Sequence, residues 1–218
     1  LHHYDWAQIG GAIKHPEKGK IMDLNESVRK DTGVKDAYLK IYPVDGYGNQ
    51  ELLRQVINLE NPDAILHYTD PRFWEWLYQM EHEIRTQMPL FYYNIWDDLP
   101  YPMWNEPFYE SCDLIMNISK QTVNIVDNVC RNKPRTKTDN TYIPHGINEK
   151  NFYPINKDNK EWGSLLQFRR NIVAERDYDF IVFWNNRNIR RKLPGDVIMA
   201  FKTFCDMLPK DKAKKCAL

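Results

Sequence analysis

The chain has 218 residues, and its 30 Lys+Arg balance its 30 Asp+Glu, so the formal net charge is zero. A neutral chain has no overall field to draw in nucleic acid or an anionic membrane, so an anion site has to be local, and no nucleic-acid-binding face is expected. No apolar run approaches the roughly 18 residues of a membrane span, and Leu1-His2-His3-Tyr4-Asp5 has neither the basic nor the apolar region of a secretory signal.

Cys112, Cys130, Cys205 and Cys216 form no Cys-x-x-Cys pair and have no His at zinc-ligand spacing, which predicts reduced thiols in a cytoplasmic protein. His2 and His3 are adjacent and have no third ligand, so no metal is expected there. The 7 Trp, 13 Tyr and 9 Phe suit both a packed core and surfaces on which sugar rings or bases stack.

In chain order, Gly10-Gly11 and Tyr47-Gly48 read as loops. Glu51 to Leu59 reads as an amphipathic helix with Leu52, Leu53, Val56 and Ile57 on one side. Residues 63–69 (DAILHYT) predict a buried strand, and helical periodicity follows from Phe73 to Ile84. Strands are predicted at 89–96, 113–118 and 141–144, with Ser119 capping a helix that runs to about Cys130. Residues 154–162 (PINKDNKEW) read as a linker. A helix over 165–174 and a strand over 179–184 follow. Val197, Ile198, Phe201, Phe204, Cys205 and Leu208 then form one helical stripe, with Pro194 and Asp196 in its first turn. Alternating strands and helices predict an α/β protein with a mostly parallel sheet, whose ligands sit outside the carboxyl ends of the strands. Both ends look cut: Leu1 begins in mid-pattern, and residues 215–218 read as the start of another strand.

Between the 179–184 strand and the final long helix lies a knot of base: Arg187, Arg190, Arg191 and Lys192. A strand, a basic turn and a helix N-terminus make a natural anion site. The helix start offers unpaired N–H groups, Arg a planar fork and Lys a point charge, which together suit a diphosphate. A solvated basic loop is the alternative on physical grounds alone.

The spacing Arg187-x-x-x-x-Lys192, followed by Ala200-Phe201, resembles the basic segment of family 4 retaining glycosyltransferases of the GT-B fold. Asn186 and Leu193 stand where that family usually has Gly. The stretch Tyr142-Ile-Pro-His-Gly-Ile-Asn-Glu-Lys-Asn-Phe152-Tyr-Pro154 is similar to the segment that closes the family's N-terminal domain, and 113–122 to a strand and helix of that domain. The resemblance implies a GT-B-like α/β chain with a Rossmann-like acceptor-side domain over 1–153. Residues 154–218 would then be a linker and the beginning of a second Rossmann-like, donor-binding domain. The family's first strand and Gly-rich loop would precede Leu1, and its paired glutamates would follow Leu218.

The implied activity is transfer of a sugar from a nucleotide-diphosphate-sugar, UDP- or GDP-linked, to an acceptor hydroxyl, with retention and without metal or other cofactor. The acceptor (glycan, lipid, protein or modified base) stays open. Arg187 and Lys192 would grip the donor diphosphate and stabilise it as it leaves, with Asn186 and Gly146 beside the donor; Gly146 is expected to permit a turn that a side chain would block. Candidate acceptor-side residues at the strand tips are His67, Asp70, Trp96 and His145. Asp97 and Asp98 are candidates to orient or deprotonate a hydroxyl, and burial of both would raise one pKa. Two rival readings are a non-catalytic nucleotide- or glycan-binding remnant of such an enzyme and a structural protein that reuses the fold.

Overall fold

The computed structural model describes residues 4–12, 16–136, 138–174 and 176–218. The chain divides into two compact units, Leu1–Gly146 and Ile147–Leu218; the sequence places that boundary a few residues later, after residue 153.

The first unit opens with a sheet that sequence patterning did not reveal. β1 (Trp6–Ala12), β2 (Met22–Asp23), α1 (Asn25–Thr32) and β3 (Leu39–Asp45) form it, with strand order β1-β3-β2. β1 runs parallel to β3, and β2 runs antiparallel to it. Gly10-Gly11, expected as a loop, lies inside β1. The reason is close approach: a Cβ on Gly11 would stand 2.5 Å from the Gly46 carbonyl oxygen. Pro43 is tolerated in β3 because β2 pairs only with Lys40 and Ile41. Beyond that point β3 is an edge, where a missing N–H breaks no ladder.

α2 (Gln50–Glu60) is capped by Asn49, whose side chain accepts from the Leu52 amide at 2.9 Å. At its far end the Glu60 side chain, only 8 % exposed, ties α2 to β3. It accepts from the Tyr38 hydroxyl at 2.6 Å and from the Tyr42 hydroxyl, and pairs with Lys40 at 3.4 Å. Burial works to raise the Glu60 carboxyl, but the hydrogen bonds from Tyr38, Tyr42 and Lys40 outweigh it and hold the group below its usual range. Glu60→Gln keeps the shape and removes the charge. It is expected to lower stability by about 1 kcal/mol, read as a shift in urea midpoint at unchanged slope; an unmoved midpoint would mean that the tyrosines find other partners.

The main sheet of the unit is β4 (Ile65–Tyr68), β5 (Leu90–Asn94), β6 (Leu114–Asn117) and β7 (Asn140–Tyr142), all parallel and in sequence order. Its crossovers carry α3 (Glu75–Tyr78), α4 (Glu81–Arg85), α5 (Glu106–Glu110) and α6 (Lys120–Val129). Right-handed crossovers between strands laid down in order put these helices on one face. Burial follows suit: His67, Tyr92, Ile115 and Asn117 point into the core, while Leu66 and Tyr68 are exposed. Ile84, Tyr109 and Ile125, at 0 % exposure, close the core from the helices. Each fully buried aliphatic side chain contributes about 1.5–3 kcal/mol. Ser119 caps α6 as expected, accepting from the Thr122 amide at 3.0 Å. The helix expected over 73–84 is instead a 3₁₀ turn, Pro71–Trp74, followed by the short α3 and α4.

The second unit contains α7 (Trp162–Ile172), β8 (Phe180–Ile181), α8 (Pro194–Asp206), α9 (Lys210–Ala213) and β9 (Cys216–Ala217). β8 and β9 pair in parallel, so the unit contains a strand–helix–strand crossover, and residues 216–217 are a strand as the sequence suggests. The strand predicted over 179–184 shortens to Phe180–Ile181. Of the α8 stripe, Val197, Phe201, Cys205 and Leu208 are half-buried while Ile198 is 60 % exposed. None of the described residues from 147 onward is fully buried. Two two-residue strands with three helices cover too little apolar surface to close a core.

The architecture is therefore α/β with a parallel four-stranded sheet. Cys112 and Cys130 are buried, Cys205 and Cys216 half-buried, and all four are free. Burial pushes the Cys112 thiol up to about 12 and that of Cys130 to about 11, which keeps both protonated and unreactive at neutral pH. No helix among the described residues is long and apolar enough to cross a membrane.

Candidate functional site

His67, Asp70, Trp96, Asp97, Asp98 and His145 all lie at or just beyond the carboxyl ends of β4, β5 and β7, where parallel sheets bind ligands. Their environments differ sharply.

His67 is buried, 4 % exposed, under the strand tips. Its Nδ1 shares a hydrogen with the Tyr78 hydroxyl at 2.6 Å, and its ring stacks on Tyr92 with centroids 5.0 Å apart. Desolvation lowers its pKa to about 4, so it is neutral at physiological pH. Two residues on, Thr69 has φ 139°, a conformation that a β-branched residue rarely adopts. Its carbonyl is held by the Tyr92 hydroxyl at 3.1 Å. Strain of this kind gathers at functional sites, where the surrounding structure enforces it.

Asp70 caps the 3₁₀ turn and grips Arg72 with both oxygens, at 3.0 and 2.6 Å. The Arg72 guanidinium holds the Asp70 carboxyl below its usual range. The same guanidinium lies over the Trp96 ring, 5.0 Å from its centroid. Asp70, Arg72 and Trp96 therefore form one charge-neutral unit across the tips of β4 and β5.

Asp97 and Asp98 are both exposed, so the joint burial considered from the sequence is absent. Asp98 is committed to the turn: its Oδ1 accepts from the Leu99 amide at 2.9 Å, and its carbonyl accepts from Trp96 Nε1 at 3.0 Å. The Asp97 carboxylate has no hydrogen bond or ion pair among the described residues. Of the two, it is the one available to a ligand hydroxyl.

These tips are fixed by a buried asparagine ladder that sequence reading missed. Asn94 Nδ2 donates to Asn117 Oδ1 at 3.3 Å, Asn117 Nδ2 to Asn140 Oδ1 at 2.7 Å, and Asn140 Nδ2 to Asp127 Oδ1 at 2.7 Å. Asn94 Oδ1 also accepts from the Trp96 amide at 3.1 Å, which sets the start of the Trp96–Asp98 tip.

His145 is exposed and stacks on Tyr93, with centroids 5.3 Å apart. Gly146 requires correction. Its φ is not in the left-handed region, and a Cβ there would meet nothing within 4 Å, so no turn depends on its lacking a side chain.

In the second unit, Asn186 and Arg187 are exposed and follow β8. Asn186 Oδ1 accepts from the Arg187 amide at 3.2 Å. Arg190–Lys192 form a 3₁₀ turn that leads through Leu193 into α8. None of Arg187, Arg190, Arg191 and Lys192 makes an ion pair or side-chain hydrogen bond among the described residues. Leu193 has φ 47° and ψ 54°, a left-handed backbone that glycine would hold without strain.

A hollow of about 690 Å³ lies by the amino ends of β6 and β7, bordered by Ser111, Arg135 and Asp139, and contains none of the predicted site residues. His2 and His3 lie outside the described residues. Among those described, no group of three or more His, Cys, Asp or Glu is placed to hold a metal ion. No family model matches the chain, and no curated protein matches it significantly.

Proposed function

We propose that the chain serves a GT-B-type glycosyltransferase reaction, moving a sugar from a nucleotide-diphosphate-sugar to an acceptor hydroxyl with retention and without a metal. The observation that carries this reading is the set of four cations without anionic partners among the described residues, Arg187, Arg190, Arg191 and Lys192, between β8 and the N-terminus of α8. Four like charges on one turn, with no carboxylate paired with them among the described residues, attract an anion that also meets the positive end of the helix dipole. The left-handed backbone at Leu193, where the resembled family has glycine, adds to the likeness.

In the reaction, the bond between the anomeric carbon and the diphosphate oxygen breaks, and the electron pair leaves with the diphosphate. The acceptor oxygen bonds the same carbon, and its proton passes to the departing diphosphate oxygen. Arg187 and Lys192 neutralise the charge that develops on the departing diphosphate, which lowers the barrier electrostatically. The polar tips of β4, β5 and β7 are where the acceptor is placed.

Titration calorimetry with UDP and GDP tests the reading. The full chain should bind at least one of them. Arg187→Ala and Lys192→Ala should each weaken binding by roughly ten- to a hundredfold, the usual weight of a hydrogen bond to a charged group. Wild-type affinity in both variants, or no binding by the unaltered chain, would sink the proposal. Tight nucleotide binding with no turnover of any nucleotide-sugar would point to a binding protein.

A further inference from the structure

We infer that Tyr68, Tyr93 and His145 form a stacking corner for a neutral sugar ring. Tyr68 and Tyr93 are register partners on β4 and β5, and both project from the sheet face opposite the buried His67 and Tyr92. Their rings lie 5.6 Å apart. His145 stacks on Tyr93 with planes 22° apart, while Tyr68 stands at 67° to His145 with centroids 6.2 Å apart. The near-parallel pair is a floor and Tyr68 a wall. Tyr68 is 55 % exposed, so the corner is open.

The hydrogen bonds of the corner fix its chemistry. The Tyr93 hydroxyl donates its one proton to the Ile143 carbonyl at 2.8 Å. Its 3.2 Å contact with His145 Nδ1 is then a hydrogen bond only if Nδ1 carries the proton. That tautomer leaves a lone pair on Nε2, free to accept from a hydroxyl. The Tyr68 hydroxyl has no partner among the described residues and can donate or accept. Ring faces bordered by hydroxyls and one imidazole lone pair match a pyranose, with its apolar C–H face and its rim of hydroxyls. Single-stranded nucleic acid would call for cations tracking its phosphates, and an anionic membrane for the same. The described contacts of these rings include no Lys or Arg. The inference rests on the transferase reading for what the sugar does there, as acceptor; the corner shares no residue with the donor-binding pair Arg187 and Lys192.

The test uses the full chain with maltotetraose, cellotetraose and mannotetraose as probes at millimolar concentration, followed by saturation-transfer NMR and calorimetry. At least one should bind with its ring protons against aromatic protons. Tyr68→Ala and His145→Ala should each weaken it by about tenfold. Phe73→Ala, which removes an exposed ring stacked on Tyr47 instead, should leave it unchanged. UDP affinity should be unchanged by Tyr68→Ala. Failure of all three saccharides to bind, wild-type affinity in both corner variants, or capture of an oligonucleotide or phosphatidylserine vesicle by these rings would overturn the inference. Saccharide binding without UDP binding would sink the donor proposal and leave the corner standing.

Discussion

Asn117→Leu is expected to lower the stability of the chain by about 3 kcal/mol. Asn117 is completely buried at the end of β6, and its amide is the middle rung of the ladder from Asn94 to Asn140. It also donates to the Thr141 carbonyl at 3.0 Å, so it ties β5 to β7 across β6. Leucine has nearly the same shape and no polar atoms. Its substitution leaves Asn94 Nδ2, Asn140 Oδ1 and the Thr141 carbonyl short of a partner in the interior, where each unmet group costs about 1–3 kcal/mol. Urea unfolding of the two proteins at pH 7.5 measures the difference. The pair Asn117→Leu with Asn140→Leu should lose less than the sum of the single changes, because the double variant no longer buries an orphaned acceptor between them. A loss below about 1 kcal/mol, or strict additivity, would show that the ladder is incidental.

The ladder also shows why sequence carried the main sheet but not the surroundings of its tips. β4 to β7 were legible because short apolar runs lie between turn residues, and α6 because Ser119 precedes a regular apolar stripe. The buried asparagines interrupt those runs as polar residues. Nothing along the chain says that three of them, 23 residues apart in each step, meet in space. β1 and β3 escaped for a different reason. Gly10-Gly11 and Pro43 have low strand propensity, and only the close approach to Gly46 and the edge position of Pro43 explain them. The continuous apolar spacing from Phe73 to Ile84 suggested one helix, whereas Pro71 starts a 3₁₀ turn and the chain breaks again between Tyr78 and Glu81. Among the candidate site residues, the sequence identified which loops carry polar groups. It did not distinguish His67, which is buried and neutral, from His145, which is exposed, because strand alternation near a tip depends on register.

His67 supplies the last expectation: the chain should be about 2 kcal/mol less stable at pH 5 than at pH 7.5, through this one imidazole. The folded-state pKa is about 4 against an ordinary 6.5, because burial disfavours the charged ring. Between those values the unfolded chain binds a proton that the folded chain does not, so stability rises with pH across the window. It is fully present above about pH 7 and lost as the pH falls towards 4. Desolvation dominates, with the nearby Asp70 carboxylate working against it. The depressed carboxyls Asp70, Asp113 and Glu60 act in the same direction but lower, losing their contribution only as the pH drops below the ordinary carboxylate range. Chemical unfolding at pH 7.5, 6.5, 5.5 and 5.0 gives the slope, and His67→Phe isolates it. Phenylalanine keeps the stack on Tyr92 but cannot be protonated, so its stability should be nearly flat over this window. It should also leave the Tyr78 hydroxyl without its 2.6 Å partner, a loss present at every pH. Equal pH slopes in the two proteins would mean that His67 is reached by water, and the tip of β4 would then be an open cleft floor instead of the sealed support on which Thr69 and Asp70 rest.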